Sequence, residues 1–144
     1  MLIERRPARD PAVVALATAQ QAELAAAEGE DWIEFALHGD LDYLLGTVDA
    51  VPVACGALQS LGDGVGEIKR MYVVPGRRGR GLSRQILTAL EELARDKGFR
   101  ELRLETGPHL LAAVGLYTGG GYRPIPLFGQ YIGSAGSICF GKAL

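Results

Sequence analysis

The sequence predicts a single domain of the α+β or mixed α/β class, and three observations lead to that prediction. The chain has 144 residues, of which 48% are hydrophobic, which is enough for one core and leaves little length for a second. Strand-like and helix-like segments follow one another in an order typical of a layered sandwich. No internal repeat or low-complexity linker interrupts that order, so we expect one domain over residues 1–144.

The N-terminal part of the chain is predicted to hold one strand, two helices and a β-hairpin. Residues 2–6 alternate weakly and precede a proline-containing turn, which indicates a strand. Residues 11–28 are rich in alanine and leucine at helical spacing, and a second short helix is expected over residues 31–37. Residues 43–48 and 52–61 flank a two-residue turn and form the predicted hairpin.

The clearest element is an amphipathic helix over residues 83–97, which lies between predicted strands at 67–74 and 99–105. Gly98 follows the helix as an expected C-terminal cap. One face of the helix is predicted to be apolar and the other to face solvent. The apolar face comprises Leu82, Ile86, Leu90, Leu93 and Ala94, and the polar face comprises Arg84, Glu91, Glu92 and Arg95.

The C-terminal part is predicted to add one helix and two strands. Pro108 opens the helix, which carries Tyr117 and ends at the three glycines of residues 119–121. Residues 122–131 and 137–140 then supply the two last strands of the predicted sheet.

Charge and hydropathy exclude two classes of partner. The formal net charge is −2, whereas proteins that bind a nucleic-acid backbone usually carry a large basic excess. No apolar run approaches the roughly 20 residues that a membrane span needs, and the first six residues lack the apolar core of a signal peptide. We therefore expect no nucleic-acid partner, no membrane association and a cytoplasmic protein.

The cysteines and histidines give no support for a metal site. Cys55 and Cys139 lie far apart within strand-like runs, so buried free thiols are expected, with a disulfide, a metal site or a nucleophile as the alternatives. His109 stands alone, and His38 has only Glu34 one helical turn before it. We expect no metal.

A turn rich in glycine and arginine stands between the strand at 67–74 and the amphipathic helix. Glycines let successive backbone N–H groups approach a phosphate, and the start of the following helix adds the positive end of its dipole. Arg78 and Arg80 add positive charge. The alternative is a solvated basic turn without a ligand. The turn reads Arg78-Gly79-Arg80-Gly81-Leu82-Ser83.

This strand, turn and helix resemble the GNAT superfamily of N-acetyltransferases, whose signature is Gln/Arg-x-x-Gly-x-Gly/Ala. Ser83 departs from the final Gly/Ala, but it is small and a good helix N-cap, so we expect phosphate binding to survive. The preceding residues 67–73 are similar to the family's fourth strand. The later residues 113–117, followed by Gly121-Tyr122, are similar to the family's second motif, so the resemblance covers residues 67–122.

The resemblance implies a fold, a co-substrate and a reaction. The fold is a central, mixed and mostly antiparallel sheet with helices on both faces. The co-substrate is acetyl-CoA, with its phosphates on the turn of residues 78–83 and its pantetheine arm along the fourth strand. The residues that the family uses along that strand correspond to Met71, Tyr72 and Val73. The reaction is direct acetyl transfer to a primary amine, with the backbone N–H of Val73 polarising the thioester carbonyl.

By the same resemblance, two side chains would handle protons. Tyr117 is the expected general acid toward the coenzyme sulfur; because a tyrosine pKa near 10 exceeds a thiol pKa of about 8.5, it would act mainly as a hydrogen-bond donor. Glu67 is the expected general base, although direct transfer from an amine with a pKa of about 10.4 is costly, so either burial raises the pKa of the glutamate or a water chain carries the proton. The alternatives are a core aromatic for Tyr117 and an exposed strand-end carboxylate for Glu67.

The acceptor is an amine-bearing small molecule or peptide that the sequence does not identify. Aromatic residues and one histidine could wall its pocket, with plain packing as the alternative; they are Trp32, Phe35, His38, Phe128 and Tyr131. A rival function is a catalytically silent domain that binds acetyl-CoA as a sensor or interaction module. The sequence also leaves a homodimer open.

Overall fold

Seven strands form one mixed sheet in the computed structural model, which describes residues 1–35 and 40–144. The strand order is β1-β2-β3-β4-β5-β7-β6, and within this described sheet only β4 and β5 pair in parallel. The expected mostly antiparallel arrangement is therefore confirmed. The strands are β1 Leu2–Arg6, β2 Leu41–Val48, β3 Val51–Gly62, β4 Val65–Val73, β5 Glu101–Thr106, β6 Arg123–Ile125 and β7 Ile138–Ala143.

Helices cover both faces of the sheet, as expected. The three α-helices are α1 Pro11–Glu28, α2 Leu82–Asp96 and α3 Leu111–Gly119. Single 3-10 turns follow at Gly29–Asp31, Pro75–Arg77 and Gly129–Tyr131. Among the described helices, none is long and apolar enough to cross a membrane.

The sheet separates two apolar clusters. On one face, α1 buries Val13 and Leu16 against β2 and β3. On the other face, α2 and α3 pack over the larger cluster, which includes Ile86, Leu90, Ala94, Leu58, Ile68, Leu102, Leu104, Phe140, Tyr117 and Tyr122. The predicted apolar stripe of α2 supplies the centre of that cluster, because Ile86, Leu90 and Ala94 are fully buried.

Strands β4 and β5 pair over only three residues and then separate. The pairing runs from Val65 opposite Glu101 to Glu67 opposite Arg103, whereas β4 continues to Val73. A β-bulge lies just beyond the paired part, at Arg70, whose φ is 58°. Such bulges bend the bulged strand away from regular pairing. The separation of the two strands opens a gap in the middle of the sheet.

The residue opposite this bulge has to be glycine. A Cβ atom on Gly56 would lie 2.8 Å from both Ile86 Cγ2 and Met71 Sδ. Since real Cβ atoms do not approach other heavy atoms so closely, any larger residue here would force the side chains of Ile86 and Met71 to shift. Gly56 thus allows α2 to pack directly over the bulge.

Several local predictions were wrong. The second helix expected over residues 31–37 does not form in the described part: the 3-10 turn ends at Trp32, whose backbone is extended, and residues 36–39 lie outside the described residues. Helix α3 begins at Leu111 instead of Pro108, because residues 107–110 form a closed turn of their own. Within the expected strand at 122–131, only Arg123–Ile125 is a strand.

Two residues of α2 also differ from expectation. Gly81 is the N-cap and the helix starts at Leu82, so Ser83 lies inside the first turn and is not the cap. Glu91, predicted to face solvent, is buried because Tyr122 and Lys142 from other elements reach its carboxylate. Gly98 follows the C-cap residue with a left-handed φ of 83°, as a C-terminal stop does.

The cysteines are confirmed as buried free thiols. Burial raises the pKa of the Cys55 thiol to about 12, so this side chain is a neutral thiol at physiological pH. The Cys55 Sγ–H group donates to the carbonyl of Arg70 over 3.3 Å and so holds the bulge.

Candidate functional site

A cleft of about 680 Å³ occupies the gap between β4 and β5. Its walls come from the second half of α1, the exposed edge of β4, the end of β5, the first residues of α3 and the loop before β7. The glycine-arginine turn closes one end, and a group of polar and aromatic side chains closes the other. This cleft brings together most of the site residues that the sequence predicts.

At one end of the cleft, the turn before α2 presents its backbone. Gly79 and Gly81 have φ values of 79° and 78°, a left-handed conformation that glycine adopts without strain. Gly81 is the N-cap of α2 and, having no side chain, makes no side-chain hydrogen bond to the first turn of the helix. The first N–H groups of a helix have no partner inside the helix. The turn therefore offers unpaired backbone donors and a positive helix end beside the cleft.

Arg78 ties this turn to two other elements. Its Nε donates to the carbonyl of Val73 over 2.8 Å, and its Nη2 donates to Glu23 of α1 over 2.8 Å. The guanidinium also lies 5.4 Å from the centroid of the Tyr72 ring. The hydrogen bond from Arg78 lowers the pKa of the Glu23 carboxyl. Arg80, by contrast, is exposed and does not line the cleft.

The edge of β4 turns backbone groups toward the cleft. The N–H of Val74 donates to Val53 of β3 over 2.9 Å, so the neighbouring N–H and C=O of Val73 point the other way. Met71, Tyr72 and Val73 all line the cleft. A ligand with amide groups could therefore pair with this part of the strand as a neighbouring strand would.

Tyr117 lies on α3 with its ring in the main core and lines the cleft from that side. It is only 6% exposed, and burial raises the pKa of its hydroxyl. Within the described part of the chain, no hydrogen-bond partner meets this hydroxyl. Tyr117 is thus both a core aromatic and a lining residue with an uncommitted donor.

Glu67 is buried at the end of the paired part of β4. It is 3% exposed, which excludes the alternative of an exposed strand-end carboxylate. The Tyr131 hydroxyl donates to Glu67 Oε2 over 2.6 Å, and Lys69 Nζ lies 3.2 Å from the same oxygen. Lys69 Nζ also donates to the Tyr131 oxygen over 2.9 Å. The carboxylate is therefore held by a cation and a hydroxyl, at the end of the cleft opposite the glycine-arginine turn.

The sequence analysis missed another carboxylate that lines the cleft, Glu105. It is the last acidic residue of β5, and Ser137 Oγ donates to its Oε2 over 2.5 Å. Burial raises the pKa of Glu105, while the Ser137 hydrogen bond and the charge of Lys69 act in the opposite direction. Residues 101–105 alternate between polar and apolar, which by itself predicts a solvent-facing side chain at position 105. The separation of β5 from β4, which opens the cleft beside Glu105, cannot be read from these residues.

Only some of the predicted aromatic side chains line the end of the cleft opposite the glycine-arginine turn. Trp32, Phe35 and Tyr131 line it, and the rings of Phe35 and Tyr131 meet edge to face at 4.8 Å. Phe128 lies behind Tyr131, with ring centroids 5.3 Å apart, and does not line the cleft. The predicted His38 lies outside the described residues.

The sequence matches the acetyltransferase (GNAT) family over residues 11–122. That match covers most of the chain, and the protein belongs to the GNAT family of acetyltransferases.

Individual relatives agree with this assignment. The IAA acetyltransferase of Azospirillum brasilense is 36% identical over 93 residues, which make up 64% of this chain and 61% of that protein. The chain thus spans about three fifths of that relative. A candidate acyl-CoA N-acyltransferase from Klebsiella pneumoniae subsp. pneumoniae MGH 78578 is 32% identical with a TM-score of 0.86, and the match covers 99% of this chain and 97% of that chain.

A third similar protein extends the likeness of fold. It is a GNAT family acetyltransferase from Elizabethkingia anophelis whose structure contains bound acetyl-CoA. It is 17% identical with a TM-score of 0.76, and the match covers 99% of this chain and 97% of that chain. At this identity the likeness concerns the fold.

The raised pKa of Glu105 predicts how the free energy of unfolding depends on pH. A carboxyl whose pKa is higher in the folded than in the unfolded state keeps its proton longer when folded, so stability falls as pH rises through that window. Glu105→Gln removes the buried charge and leaves a carbonyl that accepts from Ser137. We expect the variant to have a higher free energy of unfolding than wild type at pH 7, with the difference shrinking toward pH 4. Urea unfolding across this pH range measures it.

The matched control is Glu101→Gln on the same strand, whose carboxylate is paired with Arg103 near the surface. A pH dependence of Glu105→Gln identical to that of wild type would show that burial of this carboxyl carries no cost.

Proposed function

We propose that the protein is an N-acetyltransferase that moves the acetyl group of acetyl-CoA to a primary amine by direct attack. The observation that carries the proposal is one continuous cleft. It runs from the start of α2, which has no side-chain cap, along the free edge of β4 to the buried carboxylate of Glu67. Family membership supports the reaction class, as do the name of the A. brasilense relative and the acetyl-CoA bound in the E. anophelis structure.

In this proposal the coenzyme lies along the cleft in an extended form. Its pyrophosphate binds the backbone donors of the turn between Arg78 and Ser83, and its pantetheine amides pair with Met71, Tyr72 and Val73. Arg78 exchanges Glu23 for a phosphate oxygen, since both are anions within reach of one guanidinium. Arg80 contributes charge near the turn without lining the cleft.

The chemical step breaks the thioester C–S bond and forms a C–N bond. The neutral amine nitrogen attacks the carbonyl carbon, the carbonyl oxygen gains negative charge, and the N–H of Val73 stabilises that charge. The thiolate then leaves with a hydrogen bond from Tyr117, and the proton that the attacking nitrogen gives up as the amide forms passes through water to the thiolate, which is released as the free thiol. Because burial raises its pKa, Tyr117 holds its proton firmly and stabilises the thiolate chiefly by hydrogen bonding.

The acceptor enters at the end of the cleft that carries Glu67, Glu105 and the aromatic residues Trp32, Phe35 and Tyr131. An ammonium group is attracted there by carboxylates and must lose a proton before it attacks. Glu67 is paired with Lys69, so we propose that it orients a relay water that takes this proton, and that the proton leaves to bulk solvent. Phe128 supports the wall from behind.

The phosphate-binding role of the turn is tested by Gly81→Val. A β-branched residue is strongly disfavoured at a φ of 78°, so the turn must change conformation. We expect the dissociation constant of acetyl-CoA to rise by roughly fivefold to 150-fold, as a strain of roughly 1–3 kcal/mol implies. Isothermal titration measures it. The control Gly76→Val lies in the preceding turn at an open position without a left-handed φ. Equal affinity of the folded Gly81→Val variant and wild type would refute this site.

The activity itself is tested by a screen of amine acceptors, with release of the free coenzyme thiol as the readout, followed by Tyr117→Phe on the best acceptor. We expect turnover to fall by roughly tenfold to a hundredfold with coenzyme affinity nearly unchanged, because the hydroxyl acts only as charge develops on sulfur. The control is Tyr43→Phe, a buried tyrosine on the opposite face of the sheet. Tight coenzyme binding without thiol release in the presence of any amine would favour the silent sensor instead.

The role of Glu67 is tested by the pH dependence of Glu67→Gln. We expect turnover at neutral pH to fall by about a hundredfold and to recover partly as pH rises, because a larger share of the acceptor is already neutral. Glu105→Gln is measured beside it, since both carboxylates line the same end of the cleft. A pH profile of Glu67→Gln that follows wild type throughout would assign Glu67 a structural role.

A further inference from the structure

The chain after Tyr117 folds back onto the end of α3. Three glycines follow at positions 119–121, where a helix would be expected to fray. Instead, the N–H of Gly120 donates to Leu116 over 3.0 Å, and the N–H of Tyr122 donates to the carbonyl of Tyr117 over 3.0 Å. Tyr122 is thereby brought back beside Tyr117, and their rings meet edge to face with centroids 5.7 Å apart.

A polar network from two other elements holds this turn. Glu91 of α2 accepts a hydrogen bond from the Tyr122 hydroxyl over 2.8 Å, and the same oxygen accepts from Lys142 of β7 over 2.8 Å. Lys142 also donates to the carbonyl of Gly120 over 2.9 Å and lies 5.5 Å from the centroid of the Tyr122 ring. Every member of the network is therefore bonded to another member or to the glycine turn.

The network is too buried to be an ordinary surface ion pair. The Glu91 side chain is 10% exposed and that of Lys142 is 24% exposed. Taking two charges out of water costs about as much as their attraction returns, so apolar side chains of similar volume would stabilise the fold as well or better. What the network adds that apolar packing would not is a defined position for Tyr122, through directed hydrogen bonds at both ends of the residue.

The geometry points to Glu91, Tyr122 and Lys142 as positioning residues that hold the Tyr117 ring, and with it the Tyr117 hydroxyl, in a fixed place beside the cleft. This inference rests on the proposed role of Tyr117 as donor to the leaving sulfur. None of the three residues lines the cleft. Their effect on the reaction passes through the contact between the two rings and through the main-chain bond from Tyr122 to Tyr117.

The test is a double-mutant cycle with Tyr122→Phe and Tyr117→Phe. Tyr122→Phe is the mildest change, because it keeps the ring and leaves Glu91 paired with Lys142. We expect turnover to fall by roughly threefold to tenfold in the wild-type background, with the acetyl-CoA dissociation constant unchanged within about twofold. In the Tyr117→Phe background we expect no further loss, because no hydroxyl is left to misplace.

Two controls separate positioning from general weakening of the fold. Tyr43→Phe removes a hydroxyl from a buried tyrosine on the opposite face, and Glu92→Gln changes the exposed neighbour of Glu91. Neither should alter turnover. Lys142→Arg keeps the positive charge and should retain more turnover than Lys142→Met. An equal loss from Tyr122→Phe in both backgrounds, or no loss in the wild-type background, would overturn the inference.

A measurement without turnover keeps this inference distinct from the proposed function. The chain has five tyrosines, so protein labelled with 3-fluorotyrosine gives few ¹⁹F resonances, and the Tyr117→Phe variant identifies that of Tyr117. We expect Tyr122→Phe to shift or broaden this resonance. Tyr117→Phe could leave turnover intact while Tyr122→Phe still changes the Tyr117 resonance. In that case the positioning contact stands and the role of Tyr117 in the reaction fails. A resonance unaffected by Tyr122→Phe would overturn the positioning contact itself.

Discussion

Beyond Glu67, no strand among the described residues pairs with β4 on its β5 side, and the rest of the site depends on this loss of pairing. Backbone N–H and C=O groups away from water need partners, and a gap inside a sheet takes partners away. Arg78 supplies one by donating to the Val73 carbonyl. The remaining groups open onto the cleft, so the interrupted sheet is itself a surface that suits a ligand carrying amides.

The bulge at Arg70 connects this opening to the packing on the other side of the sheet. Gly56 lies opposite the bulge, and the absence of a side chain there lets Ile86 of α2 pack against it. The Cys55 thiol holds the Arg70 carbonyl from the α1 side. The helix that begins at the glycine-arginine turn is therefore packed directly on the face of β3 and β4 at the bulge.

Features encoded by neighbouring residues could be predicted from the sequence. The spacing of Ile86, Leu90 and Ala94 identifies the buried face of α2, and the glycines before the helix identify the turn that precedes it, although Gly81 and not Ser83 is the N-cap. These signals depend on helical periodicity and backbone freedom, which operate over a few residues. The order of strands and helices followed from the same kind of signal.

Features that depend on residues far apart in the chain could not be predicted from the sequence. Glu67 and Tyr131 are 64 residues apart, and Glu91 and Lys142 are 51 residues apart. A carboxylate beside the apolar stripe of a helix is predicted to face solvent unless its hydrogen-bond partners are known. The burial of Glu91 was missed for this reason. The second helix was also wrongly predicted, since the backbone is already extended at Trp32.

In the proposed complex, a phosphate on the glycine-arginine turn competes with Glu23 of helix α1 for Arg78. An anion that takes over Arg78 replaces another anion, so the number of charges paired at this guanidinium stays the same. The net gain is the difference between the attraction of Arg78 to the new anion and its attraction to Glu23. This difference is smaller and less sensitive to ionic strength than the full attraction to one anion. The displaced carboxylate then remains on the cleft wall as a free negative charge. Occupying the turn thus changes the electrostatic character of α1, a wall that the incoming phosphate need not touch.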